Sequence, residues 1–480
     1  KGNLRVTLWG PTSLKLRWAS KILQGSPSGK EKLCYNGPME NQKIIVRYPP
    51  SPTGLFHIGN ARTFLFNYLF AKQNDGQIVF RLEDTDKERS KEEYANDIIE
   101  NLKWLGIEPD FSTMVKQSER SEIYKKYINK LIEEGKAYFA EPAFAEATAG
   151  EGRKVIRFRN PNKKIKFNDL IRGDIEFDTT ELKDFVIAKS LDEPVYHLAV
   201  VVDDFEMGVT HIIRGDDGIS NTPRQILIQE AIGAPRPIYA HLPLMLAEDK
   251  TKLSKRKHGE QVSVSFYKNA GYLPEAMINF LVMVGWNPGN DQEIWSKEEL
   301  IKIFDIKKVQ KKGGIFNIEK LRWLNKEYMR LQKNNTKNLI IEKLKVKFEN
   351  KKIHPKLVET IFEKIEVISD IDVLIENGEL DYFFNKPELE IDKICWKNQS
   401  KEDCKQKLEK ILVLAKGGTF EDFLRCHLRE LAEKEGKGEV LWPLRYVLSG
   451  REKSPDPFTL IEILGVEETI KRIQNAIQIL

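Results

Sequence analysis

The chain has 480 residues, 41% hydrophobic and 31% charged, with a formal net charge of +5. These are ordinary values for a globular protein of several domains. No apolar run reaches the ~18 residues that a membrane span needs: Phe280 to Trp286 is apolar but too short, so a cytoplasmic location is expected. Residues 1–38 hold seven basic groups against Glu31 alone, which leaves residues 39–480 at −1 and excludes a global basic field, so any nucleic-acid contact must come from local patches.

Residue 1 is lysine and the first methionine is Met39. Met39 to Arg47 reads as a natural start running into a first strand. Residues 1–38 have Gly, Pro and Ser punctuation and no sustained period, so they read as an extra, disordered N-terminal extension. A transit peptide or an RNA-touching basic arm are the other readings of that basic segment. Cys34, Cys395, Cys404 and Cys426 form no Cys-x-x-Cys pair, and Cys395 and Cys404 would meet only by an accident of the fold. Free thiols and no zinc site are expected.

In the body, Lys43 to Val46 reads as a short strand, followed by a Pro-rich turn and a helix over Ile58–Gln73. A second strand covers Ile78–Leu82. Tyr94–Leu105 is helical, with Ile98, Ile99, Leu102 and Leu105 on one face, and Ser118–Gly135 is a further helix. This alternation argues a parallel sheet. Residues 140–153 are small and biased and read as a loop. Strands are expected at Val155–Arg159, Phe185–Ala188, His197–Val202 and Val209–Ile213. After Pro274 the text turns helical, and Ile318, Leu321, Leu324, Tyr328 and Leu331 form one apolar face. Residues 331–357 carry eight lysines against two glutamates, which reads as a solvated helix face or as a phosphate-contacting one. Helices continue over 420–480, and no internal repeat is visible.

Two motifs carry chemistry. Ser51-Pro-Thr-Gly-Leu-Phe-His57-Ile-Gly59-Asn60 stands where a strand hands over to a helix, and free N–H groups with the helix dipole favour an anion there. Gly59 allows close approach to the backbone, and His57 can donate to a phosphate. Lys252-Leu-Ser-Lys255-Arg256 follows the hydrophobic segment Leu242–Leu246 and offers point charges to phosphate from a loop. Alone, the first is a helix start and the second a basic turn; their order and separation make the signal.

Together they resemble the two ATP-handling signatures of class I aminoacyl-tRNA synthetases. Asn60, Leu253 and Arg256 are departures from those signatures that are common in the glutamyl enzymes. The text around Arg47, Arg81-Leu-Glu83-Asp84-Thr-Asp86, Tyr196 to Asp204, Ile213-Arg214-Gly-Asp216-Asp217, Gly271 to Ala276 and Phe316 to Asn325 narrows the resemblance to glutamyl-tRNA synthetases. The likeness runs from about Met39 to the C-terminus, weakens over 333–435 and returns at Leu441 to Arg445.

The resemblance implies an α/β fold: a Rossmann-like parallel-sheet catalytic domain (39–120 and 190–260) with an inserted acceptor-arm domain (121–189). A stem-contact region (261–330) and an all-α anticodon-binding region (331–480, split near 410) follow. It implies a ligase joining L-glutamate to tRNA-Glu through a glutamyl-adenylate, with ATP as substrate, Mg2+ beside it, no zinc, and a monomer. The implied catalytic residues are His57, Lys252 and Lys255. ATP falls to Thr53, His57, Gly59, Asn60, Asp217, Met245, Leu253 and Lys255, and glutamate to Arg47, Ser51, Glu83, Tyr196 and Arg214; no residue is assigned to a metal. Val200 stands in the expected pocket wall where some members place Asn. Trp442 reads as core packing, with Arg445 beside it as a candidate base contact. Charging of tRNA-Gln as well, or a non-catalytic tRNA-binding relative, are the competing functions. A glutaminyl enzyme has a β-rich anticodon part, unlike the helical text of 331–480, and a small nucleotidyltransferase has no need of those residues.

Overall fold

The computed structural model describes residues 43–480 except 87, 142–153, 350, 418, 420 and 422; the side chains of residues 255, 256, 424 and 425 also lie outside the description. The expected N-terminal extension and most of the 140–153 loop therefore fall outside the described residues.

The catalytic-type sheet is built from β1 (Ile45–Tyr48), β2 (Gln77–Leu82) and β3 (Val115–Lys116), all parallel, in the order β1-β2-β3. Helix α1 (Ile58–Gln73) crosses from β1 to β2, and α2 (Glu92–Leu105) precedes β3. On the other side of β1 runs β10 (His211–Gly215), stitched to it by Thr210, whose N–H donates to Ile45 O at 2.9 Å and whose Oγ1 accepts from Ile45 N at 2.9 Å. Parallel β11 (Ile238–Leu242) continues outward from β10. Chain direction out of β1 thus reverses across the β1/β10 line, the switch point at which open α/β sheets place ligands beyond their carboxyl ends.

Residues 121–194 do not form a closed unit beside this sheet. Strands β4 (Ala137–Ala140), β5 (Val155–Phe158), β8 (Phe185–Ser190) and β9 (Glu193–Pro194) make an antiparallel sheet of their own. The hairpin of β6 (Lys164–Asp169) and β7 (Gly173–Asp178) instead joins the edge of β11, with Tyr239 opposite Asp169. One apolar cluster accordingly mixes Ile128, Ile156 and Ile187 with Val201, Ile226 and Tyr239.

The expected strand at His197–Val202 is instead the first half of helix α4 (Tyr196–Glu206). Leu198 to Val202 are all buried in that cluster. A helix enclosed on every side has no polar stripe, so its three consecutive valines imitate a buried strand. Val200 packs in this interior and does not line the cavity described below, so it is not pocket wall.

From α8 (Pro274–Met283) onward the chain is almost wholly helical. In α10 (Ile318–Leu331), Leu321, Leu324 and Tyr328 are buried as expected, while Leu331, at the helix end, is 69% exposed. The expected division near 410 falls inside the helix Lys401–Gly417. The apolar interior divides instead at Leu380–Phe383, where a cluster around Ile340, Ile361 and Leu374 gives way to one around Leu408, Leu444 and Ile473. Cys395 and Cys404 do meet: the Cys395 thiol is a hydrogen-bond neighbour of Cys404, and burial together with that neighbour pushes the Cys404 thiol up. Both are free thiols. Trp442 is half-buried, tilted against Trp396 at 5.1 Å between rings and covered by Arg445 at 4.7 Å, so it is a surface pair more than a core residue. No helix among the described residues is long and apolar enough to cross a membrane.

Candidate active site

A cavity of about 600 Å³ opens at the carboxyl ends of β1, β2, β10 and β11. Arg47 and Tyr48 close β1, Glu83 follows β2, Arg214 and Gly215 end β10, and Leu242 ends β11 with Pro243 and Leu244 after it; each strand delivers its last residues to the same place. Arg47, Ser51, Thr53, His57, Gly59, Asn60, Glu83, Tyr196, Arg214, Asp217, Met245, Lys252 and Leu253 all line it. Of the residues expected at the site only Lys255 is not among them: its backbone opens the short helix Lys255–His258, and its side chain lies outside the description.

One end of the cavity is deep and charged. Arg47, Glu83 and Arg214 are each no more than 9% exposed. Beneath them Arg81, with a fully buried side chain, donates to Asp204 at 2.9 Å and Glu83 at 3.2 Å and stands 3.5 Å from Asp203. Asp204 also accepts from Arg47 Nε at 3.4 Å. Asp203 is held by Arg120 Nε at 2.7 Å, Gln117 Nε2 at 2.8 Å and the Tyr124 hydroxyl at 2.9 Å. Burial alone would lower the Arg81 pKa, but its three carboxylates outweigh burial and raise it. Glu83 moves the other way from an ordinary ion-pair member: burial pushes its carboxyl up against the pull of Arg81. Tyr196, by contrast, sits at the rim with 45% of its surface exposed.

The other end is open and belongs to the two motifs. His57 caps α1, its Nδ1 accepting from Gly59 N at 2.9 Å. A Cβ on Gly59 would stand 3.1 Å from that nitrogen, so a side chain there would press on the cap as well as on the approach to the backbone. With Nδ1 used as acceptor, the neutral ring carries its proton on Nε2 and can donate it. Burial, and then the charge of Lys252, lower the His57 pKa and favour that neutral form. The second motif folds back on the sheet: Leu246 bridges Lys252, Leu253 N donates to Met245 O at 3.2 Å, and Leu253 is buried. Lys252 Nζ meets Asp217 at 3.0 Å with both side chains more than half exposed, so in this state the lysine charge is parked on a carboxylate at the mouth.

The sequence reading overlooked Arg62, Thr63 and Asn67, all on the cavity side of α1. Arg62 is 2% exposed, donates to Pro243 O at 2.8 Å, lies 4.8 Å over the Phe66 ring, and is pushed down to about 10 by burial. An arginine and an asparagine inside the apolar text Ala61 to Phe70 were the available signal, because buried charge in a helix demands a partner.

Four of the eight lysines of 331–357 pair with carboxylates of their own chain. Lys333 and Lys337 share Glu359, Lys343 meets Asp372, and Lys356 faces Glu462 at 3.7 Å.

Residues 43–147 and 140–323 match the family described as tRNA synthetases class I (E and Q), catalytic domain, and residues 322–477 match an anticodon binding domain. The glutamate–tRNA ligase of Carboxydothermus hydrogenoformans is 38% identical over 488 residues, covering 90% of this chain and 99% of that protein. The glutamate–tRNA ligase of Aquifex aeolicus is 49% identical over 321 residues, 60% of this chain and 67% of the relative. Among solved structures, a glutamate tRNA ligase from Elizabethkingia meningosepticum in complex with its amino acid has a TM-score of 0.80 at 32% identity, covering 91% of this chain and 99% of that one.

Proposed function

The chain belongs to the glutamate–tRNA ligase family of class I tRNA synthetases, and on that premise we propose that it joins L-glutamate to the 3′ end of tRNA-Glu through a glutamyl-adenylate, using ATP. The observation that carries this reading is the deep end of the cavity, where two buried guanidiniums, Arg47 and Arg214, face the same space as the buried Glu83. A free glutamate has the complementary charges: its side-chain carboxylate suits the guanidiniums and its ammonium suits Glu83. Glutamine would leave the guanidiniums opposite a neutral amide, a costly loss in a dry site. Ser51 and Tyr196 complete the wall on the open side.

ATP occupies the motif end. Its phosphates lie against Thr53, Gly59, Asn60 and the Nε2–H of His57, and its base lies toward Met245 and Leu253. Lys252 leaves Asp217 for the triphosphate, and Lys255 approaches on the same loop. The glutamate α-carboxylate attacks the α-phosphate and pyrophosphate departs; the terminal adenosine 2′-hydroxyl of the tRNA then takes the acyl group, giving up its proton as AMP leaves. The chain's own work is positioning and charge stabilisation. Glu83 and Asp217 are the only carboxylates among the described cavity residues, too few for a protein-built magnesium cage; this fits an Mg2+ carried in on the ATP phosphates, where it neutralises charge.

Residues 39–120 and 190–260 form the catalytic part in this reading, 121–189 the acceptor-arm part, 261–330 the stem contact and 331–480 the anticodon part, and the chain works as a monomer. The test is charging of tRNA-Glu and tRNA-Gln transcripts with labelled glutamate and labelled glutamine. Glutamate on tRNA-Glu is the expected result. Glutamate on both tRNAs would make the enzyme non-discriminating, and no charging with either amino acid would overturn the proposal.

A further inference from the structure

Arg214 is the cavity residue whose surroundings go furthest beyond the motif text. Its Nε donates to His241 Nε2 at 3.1 Å and its Nη2 to Thr222 Oγ1 at 2.7 Å. Its Nη1 is buried and meets no acceptor among the described residues. Two of the three guanidinium nitrogens are thus committed to the protein, and the third has donors to spare on a residue that lines the cavity. Gly218 makes room for this pose, since a Cβ there would stand 2.8 Å from Arg214 Nε.

Behind His241 stands Asp169. His241 Nδ1 lies 2.6 Å from Asp169 Oδ2, and the backbone N–H of His241 donates to the same carboxylate at 3.1 Å. The backbone N–H groups of Ile171 and Arg172 donate to Asp169 Oδ1, each at 2.9 Å. Both side chains are fully enclosed. Arg214 Cζ lies 5.9 Å over Tyr239, whose ring stacks on His241 at 9° between planes.

The hydrogen-bond geometry favours one protonation state, in which Thr222 Oγ1, 3.2 Å from His241 Nε2, donates to the same bare nitrogen. A guanidinium has no acceptor, so the contact at His241 Nε2 requires a bare ring nitrogen. The ring proton is then on Nδ1 and donates to Asp169. A doubly protonated ring would set Nε2–H against the Nε–H of Arg214.

We propose that Asp169 and His241 are positioning residues for amino-acid selection: Asp169 fixes the His241 tautomer that accepts from Arg214, and this holds the spare guanidinium corner for the substrate's side-chain carboxylate. The proposal rests on Arg214 being a glutamate contact. It also gives region 121–189 a part in the amino-acid site, because Asp169 ends β6, the strand that region adds to the edge of β11.

The electrostatics agree. Burial lowers the His241 pKa first of all, the Asp169 hydrogen bond opposes this, and Arg214 lowers it again, so the ring stays neutral at neutral pH. Burial would raise the Asp169 carboxyl, but His241 and the two loop N–H groups hold it below its ordinary value. The groups facing the ring are Asp169 from β6, Arg214 from β10, Thr222 from α5 (Thr222–Ile232), Tyr239 on its own strand, Phe167 from β6 and, through space, Asp216.

The experiment is ATP–pyrophosphate exchange by the full chain with tRNA-Glu present, with glutamate and ATP varied separately. Arg214→Ala is expected to raise the glutamate KM by about a hundredfold or more. His241→Ala and His241→Asn should raise it by about tenfold with the ATP KM unchanged. In His241→Gln the amide oxygen can stand where Nε2 accepts, so its glutamate KM should return to within about threefold of wild type. As pH falls below about 6.5, the ordinary value of a histidine, the wild-type glutamate KM should begin to climb, and His241→Gln should lose that climb. Equal glutamate KM values for the Gln and Asn variants, or glutamate and ATP KM rising together, would overturn the pair's role while leaving Arg214 as a contact. An unchanged KM in Arg214→Ala would overturn the glutamate reading and this inference with it. Should the alanine variant fail to fold, the comparison of Gln with Asn decides the matter.

Discussion

Arg81 meets Asp203, Asp204 and Glu83 with its side chain wholly out of solvent, whereas Lys333 and Lys337 share Glu359 on the half-exposed flank of the C-terminal helices. The groups are alike and their surroundings are opposite. On the helical flank water solvates both partners before and after pairing, so the pairs add little stability and keep the surface charged. Under the cavity each charge has lost its hydration, and the pairing chiefly offsets that loss. A hydrophobic cluster would do as well for stability alone. The cluster of charges is explained by what stands above it: Arg47 and Glu83 must be charged, dry and fixed in direction, and only fixed counter-charges allow all three.

That contrast is sharpest if Arg81 is removed. Arg81→Met takes the shared cation from three buried carboxylates, leaving Arg120 on Asp203 and Arg47 on Asp204, and a loss of about 3–5 kcal/mol in unfolding free energy is expected by denaturant titration. A loss under about 1 kcal/mol would place this network with the surface pairs. Next in size is the response to acid. Burial lowers His197 and His211 to about 4, from an unfolded value near 6.5. Between these values the unfolded chain binds protons that the folded chain refuses, so stability is full above about pH 6.5 and falls as pH drops toward 4. His211→Gln should flatten part of that fall in a series of melting temperatures, and an unchanged slope would show that His211 titrates normally. The smallest effect belongs to the flank: Glu359→Gln should leave Tm within about 2 °C of wild type. A larger drop would mean that the lysine-rich helices lean on their ion pairs.

Much of the fold and of the cavity could be read beforehand. The β1–α1–β2 unit lies where the apolar periods put it, and His57, Gly59, Arg47, Glu83 and Arg214 come together because each stands at or just beyond the carboxyl end of β1, β2 or β10 or at the start of α1. Helix α4 was misread because enclosure erased its period, and the 410 boundary because a polar helical face looks alike inside a helix and between two. Arg62 was missed because it stands just past the Ser51–Asn60 motif, where the text already reads as an apolar helix.

Local order places the strand ends and helix starts that reach the cavity, which are decided within about ten residues by period, capping and turn chemistry, while the resemblance named which side chains there to expect. The supporting shell was decided elsewhere. Arg81 and Asp204 are 123 positions apart, and Asp169 and His241 72 apart. Neither pair has a spacing that could announce it, because their contact follows from packing α4 beneath β2 and seating β6 at the edge of β11. Strand order and helix docking are set by the burial of whole faces, a sum over many side chains, and through that sum alone the buried charges find their partners.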